Sequence, residues 1–300
     1  MQQIAAPECP GGARFDAAAA LRHSGVQARI HTWMRDTRAV VVLIACAIAT
    51  PAFADEGPYP DRWMFRLGGY NVSGAETVVR LDVNALPVGT YLDFAEDLGG
   101  ETSARVARLD GYYRFNDRHA LGFSWYSLKF DGHRAIDQQV NWGDKVYNVN
   151  AVLDSSLEFD IYKVNYLYSL YHNETVELGA LIGLHVMDTA TTLSEAGTSE
   201  ARGESVTAPL PVWGLFADYH FTPRWSAYFN YQLFFVSYEG KVKGGLQDFL
   251  IGTEYRLFRN FAIGGAYNRF GMKLESKDDA DTLRLTTNWN GLMLYGSLYF

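Results

Sequence analysis

The sequence predicts an all-β chain, a transmembrane antiparallel up-and-down β-barrel of about ten strands, with twelve or eight as the alternatives. Three observations carry this. The chain closes on a strictly alternating strand that stops at an aromatic, Phe300. Candidate strands of membrane-crossing length recur throughout residues 55–300, separated alternately by short and long connections. A short apolar leader precedes them, and no later apolar run reaches the roughly 20 residues that a spanning helix needs.

The terminal strand sets the pattern. Phe300, Leu298, Gly296, Leu294 and Leu292 fall on one face, and Tyr299, Ser297, Tyr295, Met293 and Gly291 on the other. A two-residue period with no polar tail suits lipid on one side and a filled lumen on the other. A soluble domain avoids ending on so apolar a strand, because a frayed terminus exposes it.

At the other end, residues 39–54 form a short apolar run after Arg35 and Arg38, ending in Ala52-Phe53-Ala54 before Asp55 and Glu56. Charged start, apolar core and small-residue exit make 34–54 a signal peptide cut after Ala54. Leu43 to Cys46 also resembles a lipoprotein cleavage box, but its apolar stretch is very short and the better site lies downstream. Residues 1–33, with Pro10-Gly11-Gly12 and a run of alanines, do not suit a signal peptide. They are expected to be an over-extended start or a disordered segment, with translation beginning at Met34. The mature domain is then 55–300.

Cleavage removes both cysteines, Cys9 and Cys46, so no disulfide or cysteine-based metal site is expected. It also takes five basic and three acidic residues from totals of 26 and 34, which leaves a net charge of −10. Nucleic acid needs a basic footprint, so it is excluded as a partner.

Within the mature chain, alternation places strands at 62–72, 104–116, 119–130, 157–171, 174–189, 208–221, 224–238, 245–258, 261–274 and 283–300. The short turns are 116–118, 172–173, 222–224 and 259–260. The long loops are 73–103, 131–156, 190–207, 239–244 and 275–282. This asymmetry is that of outer-membrane barrels. Segments 77–83 and 90–94 also alternate, but each is too short to cross, so a hairpin extending above the membrane is preferred over a twelve-strand barrel. Phe115, Tyr171, Phe221, Trp225, Phe258 and Phe261 sit beside the short turns, as in an aromatic girdle.

The leader, the alternating strands, the run from Arg62 to Tyr70 and the closing 294–300 resemble small outer-membrane β-barrel proteins of Gram-negative bacteria. The runs from Asp93 to Gly99 and from Arg108 to His119 are similar to an uncharacterised, porin-like subgroup. That resemblance implies location in the cell outer membrane and insertion by the barrel-assembly machinery. The assembly signal would be the terminal strand, with Tyr295, Gly296, Leu298 and Phe300. It implies outer-membrane lipids and lipopolysaccharide as surroundings and a monomeric state, and it implies no single activity.

Inward faces collect Arg66, Arg108, Arg114, Lys163 and Arg256 against Asp110, Glu177, Asp218, Asp248 and Glu254. A barrel this narrow can be filled by side chains. A self-neutralising charge network that plugs the bore is therefore expected, with a narrow solute pore as the alternative. No catalytic, cofactor-binding or metal residue is assigned. His119 and His172 fall in short turns, whereas His185 and His220 are expected inward, near Glu177 and Asp218. No histidine has the serine partner that a hydrolase requires, so a lipid-A-modifying enzyme ranks third. The acidic loops lack the spacing of a calcium loop. A structural or surface-interaction role is the leading expectation.

Overall fold

The computed structural model describes residues 61–83, 90–142, 145–198, 201–238, 242–277 and 281–300. The leader 34–54, its cut after Ala54 and the start at Met34 lie outside the described residues.

Alternation makes ten long strands, each antiparallel to the next. They are β1 (Trp63–Val83), β3 (Ala104–Asn116), β4 (His119–Ala135), β7 (Val152–His172), β8 (Val176–Glu195), β9 (Ala201–Thr222), β10 (Trp225–Tyr238), β11 (Val242–Phe258), β12 (Phe261–Lys277) and β13 (Asp281–Tyr299). β13 pairs back onto β1, from Met64 opposite Tyr299 up to Val83 opposite Asp281, so the sheet closes into a barrel. Three short pieces lie at the long-loop end: β2 (Leu92–Asp93) and the hairpin β5 (Val140–Trp142) with β6 (Lys145–Tyr147).

Ten barrel strands rule out the twelve- and eight-strand alternatives. Residues 77–83 are the upper part of β1, paired to β13 throughout, while 90–94 supplies only the two-residue β2 beside Val78 and Val79. A bulge between Ser73 and Glu76 uses Gly74 at φ 60°, a left-handed conformation that suits glycine. It swaps the faces, turning Ala75, Thr77 and Val79 inward. Several strands also run further than expected. β4 continues to Ala135, β7 begins at Val152, and most of 190–207 is strand.

Short turns fold locally because their polar side chains satisfy the chain reversal. Asn116 Oδ1 accepts from the amides of Arg118 and His119, and Asn173 Oδ1 from those of Thr175 and Val176. Thr222 Oγ1 does the same for Arg224 and Trp225. The start of β1 meets the end of the last strand here, with Trp63 and Phe300 exchanging both backbone hydrogen bonds at 3.0 Å.

The outward faces carry an apolar band starting at the short turns. On β7 it runs through Leu170, Tyr168, Tyr166, Val164 and Tyr162 before Asp160. On β13 it runs through Leu298, Gly296, Leu294 and Leu292 before Asn290, with Leu294 the most exposed large apolar residue at 76%. Asn71, Arg105, Asp160, Asp188, Gln247, Arg269 and Asn290 mark a common upper edge. Between 8 and 12 residues of each of these strands lie below it, close to the roughly 9–11 that cross a bilayer. Strands of up to 22 residues therefore rise well beyond the membrane.

Above that edge the polarity of the wall inverts. On β7 the outward residues become Asp154, Ser156, Glu158 and Asp160, whereas Leu153, Leu157, Phe159 and Ile161 point inward and are buried. The upper bore is consequently a hydrophobic core, with Phe270 stacked on Trp289 at 4.2 Å and Phe159 tilted against the same ring. One side of this upper wall is looser, since the β9–β10 ladder stops at Trp213 opposite Leu233. Pro209 and Pro211 of β9 carry no N–H to extend it.

Candidate functional site

The charged residues singled out from the sequence all sit on inward faces, concentrated towards the short-turn end of the bore. Strand alternation turns Arg66 of β1, Arg108, Asp110 and Arg114 of β3, and Lys163 of β7 inward. Glu177 of β8, Asp218 of β9, and Asp248, Glu254 and Arg256 of β11 face them.

Buried charges are costly unless paired and hydrogen-bonded, and here most are. Arg114 grips Glu177 through two bonds of 2.9 and 2.8 Å, with Ser169 donating to the same carboxylate. Lys163 pairs with Asp248, whose other oxygen accepts from Asn268 Nδ2 at 2.7 Å. Arg108 binds Asp110 two residues along its own strand and reaches Asn268 Oδ1, which also accepts from the Tyr70 hydroxyl.

Arg66 reaches Glu254 at 3.0 Å, with its guanidinium 4.3 Å from the ring centres of both Tyr228 and Tyr295. Ser297 and Tyr299 also donate to Glu254, so the first and last strands converge on one carboxylate of β11. The partner of Arg256 is Asp61, at 2.6 Å, an acid outside the set read from the sequence. Asp218 consequently has no ion pair among the described residues.

A cavity of about 210 Å³ remains between these side chains, bordered by Asp218, His220, Tyr228 and Asn230 among others. It is polar and roomy enough for water. His185 faces inward and is buried, with Nε2 2.7 Å from Gln232 Oε1, which leaves no carboxylate orienting it. His220 lines the cavity. Elsewhere, His133 on the outer wall lies 2.5 Å from Asp154, with both side chains solvent-exposed and no serine bonded to the imidazole among the described residues. No cluster of metal-ligating side chains occurs among the described residues.

A second layer, unexpected from the sequence, sits over the charges. Leu92, Phe94 and Leu98, together with Ile136, Val140 and Trp142, fold into the long-loop mouth and join the hydrophobic core of the upper bore. The two segments bind each other, Asn141 N to Thr90 Oγ1 at 3.1 Å and Thr90 N to Asn141 O at 3.4 Å. Trp142 is 1% exposed and Leu92 0%. The signal for this layer was present as the inverted alternation in 152–161, which a two-solvent reading of the strands passes over.

At the terminal strand, the Tyr295 hydroxyl donates to Thr253 O at 3.2 Å. Gly296 lies opposite Leu67 and Ile263 under the Phe261 ring, and Leu298 faces outward beside it.

A closed ten-strand antiparallel barrel with an outward apolar band and a filled bore is the architecture of a Gram-negative outer-membrane β-barrel. A solved outer-membrane barrel shares this fold. The chain is similar to the outer membrane protease OmpT of Escherichia coli, at 11% identity and a TM-score of 0.52, over 84% of this chain and 99% of that one. Ail of Yersinia pestis, in complex with a heparin analogue, aligns at 12% identity and a TM-score of 0.30, over 77% and 98%. OprG of Pseudomonas aeruginosa aligns at 11% and 0.32, over 79% and 96%. No family model matches the sequence, and no curated protein does.

Proposed function

We infer that this barrel is a non-conducting scaffold of the outer membrane, which holds its long-loop end at the cell surface for interaction with other molecules. The observation that carries the reading is the double closure of the bore. Paired charges crowd the short-turn half around a cavity of about 210 Å³, and an apolar plug built around Trp142 and Leu92 fills the other. An ion entering from the short-turn side could be hydrated in the polar cavity but would lose its water against the plug, at a cost of several kcal/mol or more. The pore reading is weaker for that reason. Among the described residues, His185 meets Gln232 rather than an acid, and His133 meets Asp154 with no serine on its imidazole, so neither supports the enzymatic reading.

In this reading the short turns are periplasmic and the segments 90–103 and 131–151 are extracellular. The terminal residues Tyr295, Gly296, Leu298 and Phe300 serve recognition by the assembly machinery, and lipopolysaccharide surrounds the band. Liposome swelling tests the bore. Proteoliposomes whose protein shows heat-modifiable gel migration should swell in arabinose no faster than protein-free vesicles. Swelling that rises with protein content would overturn the scaffold reading.

A further inference from the structure

The lipid-facing wall is not uniform. One lateral hydrogen-bonding row crosses β3, β1, β13, β12, β11 and β10 through Ala107, Gly69, Leu294, Gly265, Thr253 and Ala227. Five of these six outward residues are small, while the sixth, Leu294, projects in mid-row at 76% exposure. The next row towards the long-loop end carries Leu292, Tyr267 and Ile251. The result is a trench of about 1170 Å³ in the outer surface. Five strand spacings make it about 24 Å long. Because barrel strands tilt by about 35–45°, such a row climbs across the membrane band. Phe221 and Trp225 close its lower end beside a short turn, and Asn71 and Arg105 stand at its upper end.

The rim above this trench carries two arginines. Arg105 and Arg269 are both exposed at the band edge, with Asn71, Ser73 and Asn290 beside them on β1 and β13. The exposed Glu76, one row higher on β1, is bonded by Asn288 Nδ2 at 3.2 Å. Arg105 Nε bonds Asn71 Oδ1 at 3.3 Å, which steers its guanidinium along the rim. Round the barrel, the same edge on β7 and β8 carries Asp160 and Asp188 instead. Two positive charges thus stand above a broad groove in the lipid-facing wall.

We propose that this trench is a binding site for a phosphate-bearing acyl lipid of the outer leaflet. Arg105 and Arg269 hold its anionic headgroup, and one acyl chain lies along the small residues, bending past the Leu294 side chain. Guanidinium groups suit phosphate oxygens through charge-assisted hydrogen bonds. A chain in the trench meets protein on three sides, which increases dispersion contact over a flat wall. The inference rests on the outward band being the membrane-spanning surface and is independent of whether the bore conducts.

The mature protein in phosphatidylcholine nanodiscs doped with lipid A provides the test, with retained lipid counted by native mass spectrometry. Wild type should keep one lipid A in preference to phosphatidylcholine, and added inorganic phosphate should not displace it. Arg105→Ala with Arg269→Ala should lower retention about tenfold, the loss of charge-assisted contacts. Gly69→Leu with Gly265→Leu should lower it comparably by filling the trench. A Cβ at Gly69 meets open space and one at Gly265 meets Leu294 at 3.5 Å, so the pair should fold normally.

Heat-modifiable migration checks each variant, and its loss in wild type would indict the barrel reading rather than the lipid site. Undiminished retention in either variant pair, equal retention of phosphatidylcholine, or displacement by inorganic phosphate would overturn the proposal.

Discussion

Arg66 on β1 and Glu254 on β11 meet at 3.0 Å inside the bore, and the carboxylate also receives the hydroxyls of Ser297 and Tyr299 on β13. The junction ties the first and last strands to a third. Arg66→Ala would leave a buried carboxylate without its cation, so it should cost about 3–5 kcal/mol. Replacing both partners, as Arg66→Met with Glu254→Leu, should recover much of that loss. Urea unfolding in lipid vesicles measures both variants, and equal destabilisation by the single and double variants would contradict the assignment.

In the proposed scaffold the plug and the charge layer close the bore independently. Replacing both 90–98 and 136–150 with short Gly-Ser linkers should therefore leave proteoliposomes impermeable to arabinose, because the ion-paired layer remains. Combining the replacements with Arg108→Ala and Lys163→Ala should admit the sugar. Swelling by the linker variant alone would show that the charge layer is not a barrier.

Trp142→Ala removes a fully buried ring from the plug and should destabilise by about 3–5 kcal/mol, as large aromatic truncations in cores do. An unchanged urea midpoint would mean that the hairpin carrying Trp142 is not packed into the upper bore.

The membrane band makes a depth-dependent prediction. Leu294→Arg lies within the band and should cost about 2–4 kcal/mol, whereas Asn290→Arg at its edge should cost about 0–1 kcal/mol. Similar costs at both positions would move the bilayer away from the apolar band.

How far the sequence reaches follows from which forces are local. Alternation reports each residue's face, so the inward placement of Arg108 and Lys163 could be read directly from their strands. The partners could not, because contacts across a bore depend on how the strands are staggered around the whole barrel. Arg256 thus meets Asp61, outside the expected set, and Asp218 has no ion pair among the described residues. The upper bore was missed for another reason. A membrane reading assigns the apolar face to lipid, but beyond the bilayer the outer wall meets water, so Leu153, Leu157 and Phe159 turn inward. The trench needs the lateral register of six strands, which no single strand's pattern contains.

Planar-bilayer recording of the purified, heat-modifiable protein tests the sealed bore without labels or variants. The double closure predicts a current indistinguishable from that of the protein-free membrane across positive and negative voltages. Reproducible steps that scale with ion concentration would contradict it, and would mean that the plug around Trp142 opens in the membrane.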